Sequence, residues 1–185
     1  MKPILLILGV FVLVLLLTSM SFSKPYNLSS EANKRFLKEA KILSQKHHLD
    51  FLMIGSARIL EDYDPHIVFT LSMKTGRALT KEEVKELIKP LLQDFWKVLH
   101  SDPIYKERAV ESWFYEKIKE EPLKPSVMGI KLSFWDEEVN RRPFPYVSLI
   151  KVMDNRIFYY YADPTTQKLQ EPIIETFEEI GLKFD

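Results

Sequence analysis

The chain reads as an α+β protein: about five strands in a mainly antiparallel sheet, with helices packed on one face. Three observations predict this. HIVFTLSMK (66–74) and MGIKLSFW (128–135) alternate apolar and polar residues with the period of a strand that is wet on one side. Val84, Leu87, Ile88, Leu91, Leu92, Phe95, Val98 and Leu99 form an apolar stripe at helical spacing. The strands come in runs joined by short turns, with helices between the runs. The resulting order, α-β-β-α-(α)-β-β-β-α, argues against the alternating units of a doubly wound parallel sheet.

A hydrophobic export segment precedes these elements. From Ile4 to Leu17 the chain is apolar, with Lys2 before it and a serine-rich stretch to Ser23 behind. A secretory signal has an apolar centre of about 7–15 residues, and a spanning helix needs about 20. The run fits the first description, with Ser21 and Ser23 at −3 and −1 for cleavage before Lys24. If Pro3 to Phe22 is counted whole, it just reaches spanning length. Residues 1–23 are therefore read as a cleaved signal or, alternatively, as a retained anchor engaging a membrane through residues 4–22. Both readings place the rest outside the cytoplasm, periplasmic or extracellular when cleaved and single-pass when anchored. Residues 24–30 form a polar lead-in, and 31–185 form one domain.

The first helix starts at Ser29-Ser30-Glu31, where serine can accept a backbone N–H and the acid suits the first turn. Ala32, Phe36, Ala40 and Leu43 give its buried face. FLMIGSARIL (51–60) is the first strand, with Gly55 as a possible bulge, and EDYDP (61–65) is turn chemistry. Thr80 and Glu83 are spaced as a capping box for the long helix, which Pro90 interrupts. Residues 104–121 have helical character with poorer periodicity. YVSLIKVM (146–153), the turn Asp154-Asn155 and RIFYYYA (156–162) then form a hairpin. Pro172 opens a final helix carrying Ile173, Ile174, Phe177 and Ile180, stopped by Gly181.

Composition removes several kinds of function. There are no cysteines, so disulfides, thiolate chemistry, sulfur-based zinc sites and a lipidated N-terminal cysteine are all excluded. Lys and Arg total 26 against 26 Asp and Glu, without the basic surplus a nucleic-acid binder shows. His47 and His48 are adjacent and cannot share a helix face, and neither His66 nor His100 has ligand spacing. No metal or other cofactor is expected. No G-x-S-x-G elbow or phosphate-binding glycine loop is present. The acidic trio Asp136, Glu137 and Glu138 reads as solvated surface.

The expected function is therefore non-catalytic binding of a protein or another envelope component. Two surfaces carry that expectation. The polar strand faces hold Arg58, His66, Lys131 and Trp135, and Tyr159, Tyr160 and Tyr161 cover both faces of the last central strand, with Tyr159 and Tyr161 as binding candidates. The connection Arg141-Arg142-Pro143-Phe144-Pro145-Tyr146 either grips a partner or plugs the core edge with its rings. Tyr, Trp and Arg dominate interface hot spots. The alternatives are an envelope hydrolase assembled from distant residues around His66, and a membrane-tethered subunit of a larger assembly.

Overall fold

The structure, a computed structural model, describes residues 28–59, 66–110 and 124–184 except 137 and 139; side chains of 28–30, 56–59, 66–67 and 108–110 lie outside that description. The export segment, the 61–65 turn, the helical character of 111–121 and the Glu137 member of the acidic trio all fall outside the described residues.

Helix α1 (Leu28–Lys46) leads into β1 (Asp50–Ile59) and β2 (His66–Thr75). Helices α2 (Lys81–Ser101) and α3 (Pro103–Val110) follow, then β3 (Met128–Phe134), β4 (Leu149–Met153), β5 (Arg156–Tyr160) and β6 (Ile173–Thr176). The six strands lie in sequence order. Every neighbouring pair is antiparallel except β2 and β3, which run parallel because the helical crossover separates them. The protein is α+β, with a mixed, mostly antiparallel sheet.

The period-2 pattern decides which side the helices cover. Phe69, Leu71 and Met73 of β2, Ile130 and Leu132 of β3, Ile150 and Val152 of β4, and Ile157 and Tyr159 of β5 are all buried. Against them pack Ala32, Phe36, Ala40 and Leu43 of α1 and Val84, Ile88, Leu91, Leu92, Phe95 and Leu99 of α2. Phe36 lies 5.6 Å from Phe95 in a stacked pair and 5.5 Å edge-on from Phe69. Such pairs add roughly 0.5–1.5 kcal/mol each beyond the area they bury. Trp96, absent from the apolar stripe in sequence, is also buried, against Phe184 near the C-terminus.

The helix ends follow local chemistry. Thr80 accepts from the Glu83 amide while the Glu83 carboxylate accepts from the Thr80 amide, so the capping box forms. The helix continues through Pro90, whose ring faces solvent. α1 closes with the Leu49 amide on the Ser44 carbonyl and His48 left-handed at φ 54°. That turn separates the two histidines. His48 is exposed, whereas His47 is nearly buried and bonds Asp94 of α2 at 2.8 Å. Burial opposes charge on Asp94, but hydrogen bonds from Lys46 and His47 outweigh it and hold the carboxyl below its usual range.

One expected element is different. The final helix from Pro172 is instead a strand: Ile173–Thr176 pairs antiparallel with β5, making six strands rather than five. The helical signals belong to one turn further on. Thr176 and Glu179 exchange capping-box bonds, the Leu182 amide reaches the Phe177 carbonyl, and Gly181 ends the turn at φ 70°. A single turn is too short to hold by itself, whereas the open edge of β5 offers Ile173 and Ile174 a hydrogen-bonded ladder that suits β-branched residues.

Candidate functional site

Three long connections meet at the end of the sheet where β2 and β3 finish: 76–80, 135–148 and 161–172. Backbone bonds weave them together. The Trp135 amide donates to the Thr75 carbonyl, Val147 to Leu79, and Ser148 to Tyr160. Isolated bridges join Thr80 to Tyr146, Pro143 to Ala162 and Trp135 to Arg141.

The two arginines hold this end in place. Arg142 Nη2 donates to the Gly76 carbonyl at 2.8 Å, and the Ser148 hydroxyl donates to the Arg142 carbonyl. Arg142 Nε is buried without a hydrogen-bond partner among the described residues. Arg141 Nη1 donates to the carbonyl of Gln167 at 2.7 Å, and the Arg141 amide donates to the Gln167 side chain. Gln167 stands left-handed at φ 57° in a turn whose amides, from Thr165 and Thr166, converge on Asp163. Those bonds hold the Asp163 carboxyl below its usual range.

The rings of this loop do not plug the core. Phe144 is 74% exposed and Tyr146 39%. Phe144 leans on Tyr161, with ring centroids 5.6 Å apart, and its peptide bond to Pro145 is cis. The result is two exposed aromatic rings, Phe144 and Tyr146, on a loop fixed by arginine-to-carbonyl bonds.

The residues singled out in sequence do not form one site. Arg141, Arg142 and half-buried Trp135 gather at this loop end. Lys131 stands exposed at the middle of the open sheet face, opposite Lys151 of β4. Arg58 pairs in register with Ile67, and His66 with Ile59, near the far end of the β1–β2 hairpin. Tyr159 and Tyr161 are not on the open face. Both are buried toward the helices, because Tyr159 shares strand parity with core residue Ile157 and pairs with Ile150. The middle tyrosine, Tyr160, takes the open face, with Lys151 Nζ 5.3 Å above its ring.

Beneath α2 lies a polar cluster with no counterpart in the sequence reading. Glu175 of β6 accepts from Lys81 at 3.0 Å and Lys85 at 2.8 Å, both on Oε1. Its Oε2 and the Tyr159 hydroxyl are buried without hydrogen-bond partners among the described residues. Burial first, and the Glu175 charge second, push the Tyr159 phenol well above its ordinary pKa. At the opposite end of the sheet an open groove of ≈ 510 Å³ is lined by Phe177, Phe184, Asp154, Arg156, Glu178 and Lys183, among others. Among the described residues no group of His, Asp and Glu is placed to hold a metal ion, and no helix is long and apolar enough to cross a membrane.

No family model, curated protein or solved structure matches the chain.

Proposed function

We propose that the chain is an exported, non-catalytic binding domain that engages a protein partner through the loop end carrying Phe144. The observation that carries this reading is Phe144 itself, 74% exposed on a loop anchored by Arg141 and Arg142. A lone exposed apolar residue needs no explanation. Here the Phe144 ring is seated on Tyr161, and a second exposed ring, Tyr146, lies two residues away on the same loop. Aromatic anchors beside arginine are the composition of interface hot spots. A loop already fixed by its own hydrogen bonds loses little conformational entropy on binding. Export rests on the apolar segment from Ile4 to Leu17.

A photo-crosslinking residue at position 144, in the protein expressed in a bacterial host under its own N-terminus, tests this directly. A discrete protein adduct is expected from position 144 and not from Lys97, exposed on α2. Tyr146→Ala should reduce the yield from position 144 at least 10-fold, since a hot-spot residue is worth 2 kcal/mol or more. The same variant should leave the melting temperature within about 2 °C, as expected of an exposed side chain. Equal adducts from 144 and 97, or none from either, would remove the proposal.

A further inference from the structure

A second surface, independent of the Phe144 loop, lies on the sheet face opposite the helices, where Val68, Ser133 and Leu149 are buried but part of one row is accessible. One row of residues crosses all six strands in register: Met53, Ser72, Lys131, Lys151, Phe158 and Ile174. Its two ends are apolar and exposed, Met53 at 61% and Ile174 at 49%. Its centre is basic. Lys131 and Lys151 are exposed and directly opposed, a cross-strand arrangement of like charges that destabilises a sheet. Neither makes an ion pair among the described residues, and Lys151 is propped over Tyr160 instead. Lys74 stands on the same side toward the loop end, opposite Asp50 of β1, so the uncompensated charge of this face is that of Lys131 and Lys151.

We infer that this face docks on an anionic bilayer surface, with Lys131 and Lys151 against the headgroup charges and Met53 and Ile174 at the interface. Charge decides the occupant. A second copy would bring the same lysines face to face with its own, and a neutral apolar partner would leave two ammonium groups without counter-charge. An anionic leaflet neutralises both, and basic residues near such a surface each add about 5-fold to binding. Apolar side chains flanking basic ones are the pattern of surfaces that lie in a headgroup region.

The chain has no cysteine, so one introduced thiol takes one label. Met53→Cys and, as a control on the helical side, Lys97→Cys would each carry an environment-sensitive fluorophore on the protein as purified from the envelope. Each is then combined with vesicles of phosphatidylcholine alone or with one-third phosphatidylglycerol, both containing lipid-linked quencher. Quenching at position 53 on the anionic vesicles only, with none at 97, is the expected result. The Lys131→Ala/Lys151→Ala variant should lower the docked-to-undocked ratio about 30-fold. It should also fold at least as well as the parent, since it relieves a like-charge pair. Equal quenching at 53 and 97, quenching indifferent to lipid charge or to the two lysines, or no quenching on either vesicle would overturn the inference. The last result, with an acidic protein crosslinked from position 53, would assign the face to that protein.

Discussion

Gly129 shows how much a single position can decide. It lies on β3 beside β2, and a β-carbon there would sit 2.8 Å from both Val68 Cγ1 and Thr70 Oγ1. Val68 is itself buried, at 4% exposure, so it has little room to yield. Replacing glycine by alanine in a strand gains about 0.5–1 kcal/mol in backbone entropy. Forcing a methyl into a packed site costs about 1–3 kcal/mol, and the clash should win. Gly129→Ala is expected to lower stability by about 1–2 kcal/mol in urea denaturation. Adding Val68→Ala should cost less than the sum of the two single changes, because they relieve one contact. A midpoint unchanged by Gly129→Ala would mean the strands separate freely. In the sequence Gly129 is legible only as a strand glycine, since the contact that excludes a side chain lies on a neighbouring strand. His47 illustrates the same limit. Its partner Asp94 is on another helix, and no spacing in the chain announces it.

At the scale of elements, β6 is the informative case. Among the described residues, its four residues pair only with β5, so Glu175 serves as its latch to α2 through Lys81 and Lys85. Burial disfavours the Glu175 charge, but hydrogen bonds from Lys85 and Lys81 outweigh it and leave the pKa below the ordinary 4.5. A lowered folded-state pKa sets the sign. The latch contributes fully above about pH 4.5 and is lost as the pH falls through the lower folded value. Glu175→Gln removes the charge at every pH and should cost about 2 kcal/mol locally, the scale of hydrogen bonds to charged groups. Hydrogen exchange at neutral pH should then speed up roughly 30-fold across Ile173–Thr176. The parent protein should approach the variant's exchange, corrected for intrinsic rate, as it is acidified below pH 4.5. Unchanged exchange in the variant would mean that the β5 ladder alone holds the strand. The helix expected here was a fair reading of Pro172, Ile173, Phe177 and Ile180. What outweighed it was an unpaired edge, which a one-dimensional pattern does not display.

For the whole molecule, the start of α1 and the proposed binding loop lie at opposite ends. Arg35, in the first half of α1, bonds Asp102 at the foot of α2, while the other end of α1 feeds β1 beside the loop end. With 19 residues, α1 is about 28 Å long. The described domain therefore begins, at Leu28, at the end away from Phe144. Expression in a bacterial host with the native N-terminus should yield a species whose intact mass begins near Lys24, recovered in the soluble envelope fraction. A full-length species that resists salt and alkaline washing would instead make Ile4–Leu17 an anchor.

The sequence by itself determined the α+β class, the alternating cores of β2 and β3, the capped long helix, the hairpin turn at Asp154-Asn155 and the exclusion of cysteine chemistry. These are local properties, because a period of two or 3.6 residues and a cap three residues away are written within one segment. Only the tertiary structure decided that β2 and β3 run parallel, that Ile173–Thr176 is a strand, and that Tyr160 rather than Tyr159 or Tyr161 faces out. It also brought Lys131 against Lys151 and lifted Phe144 clear of the core on two arginine bonds. Each of these depends on which strand lies beside which, and that choice is made by burial across the whole sheet.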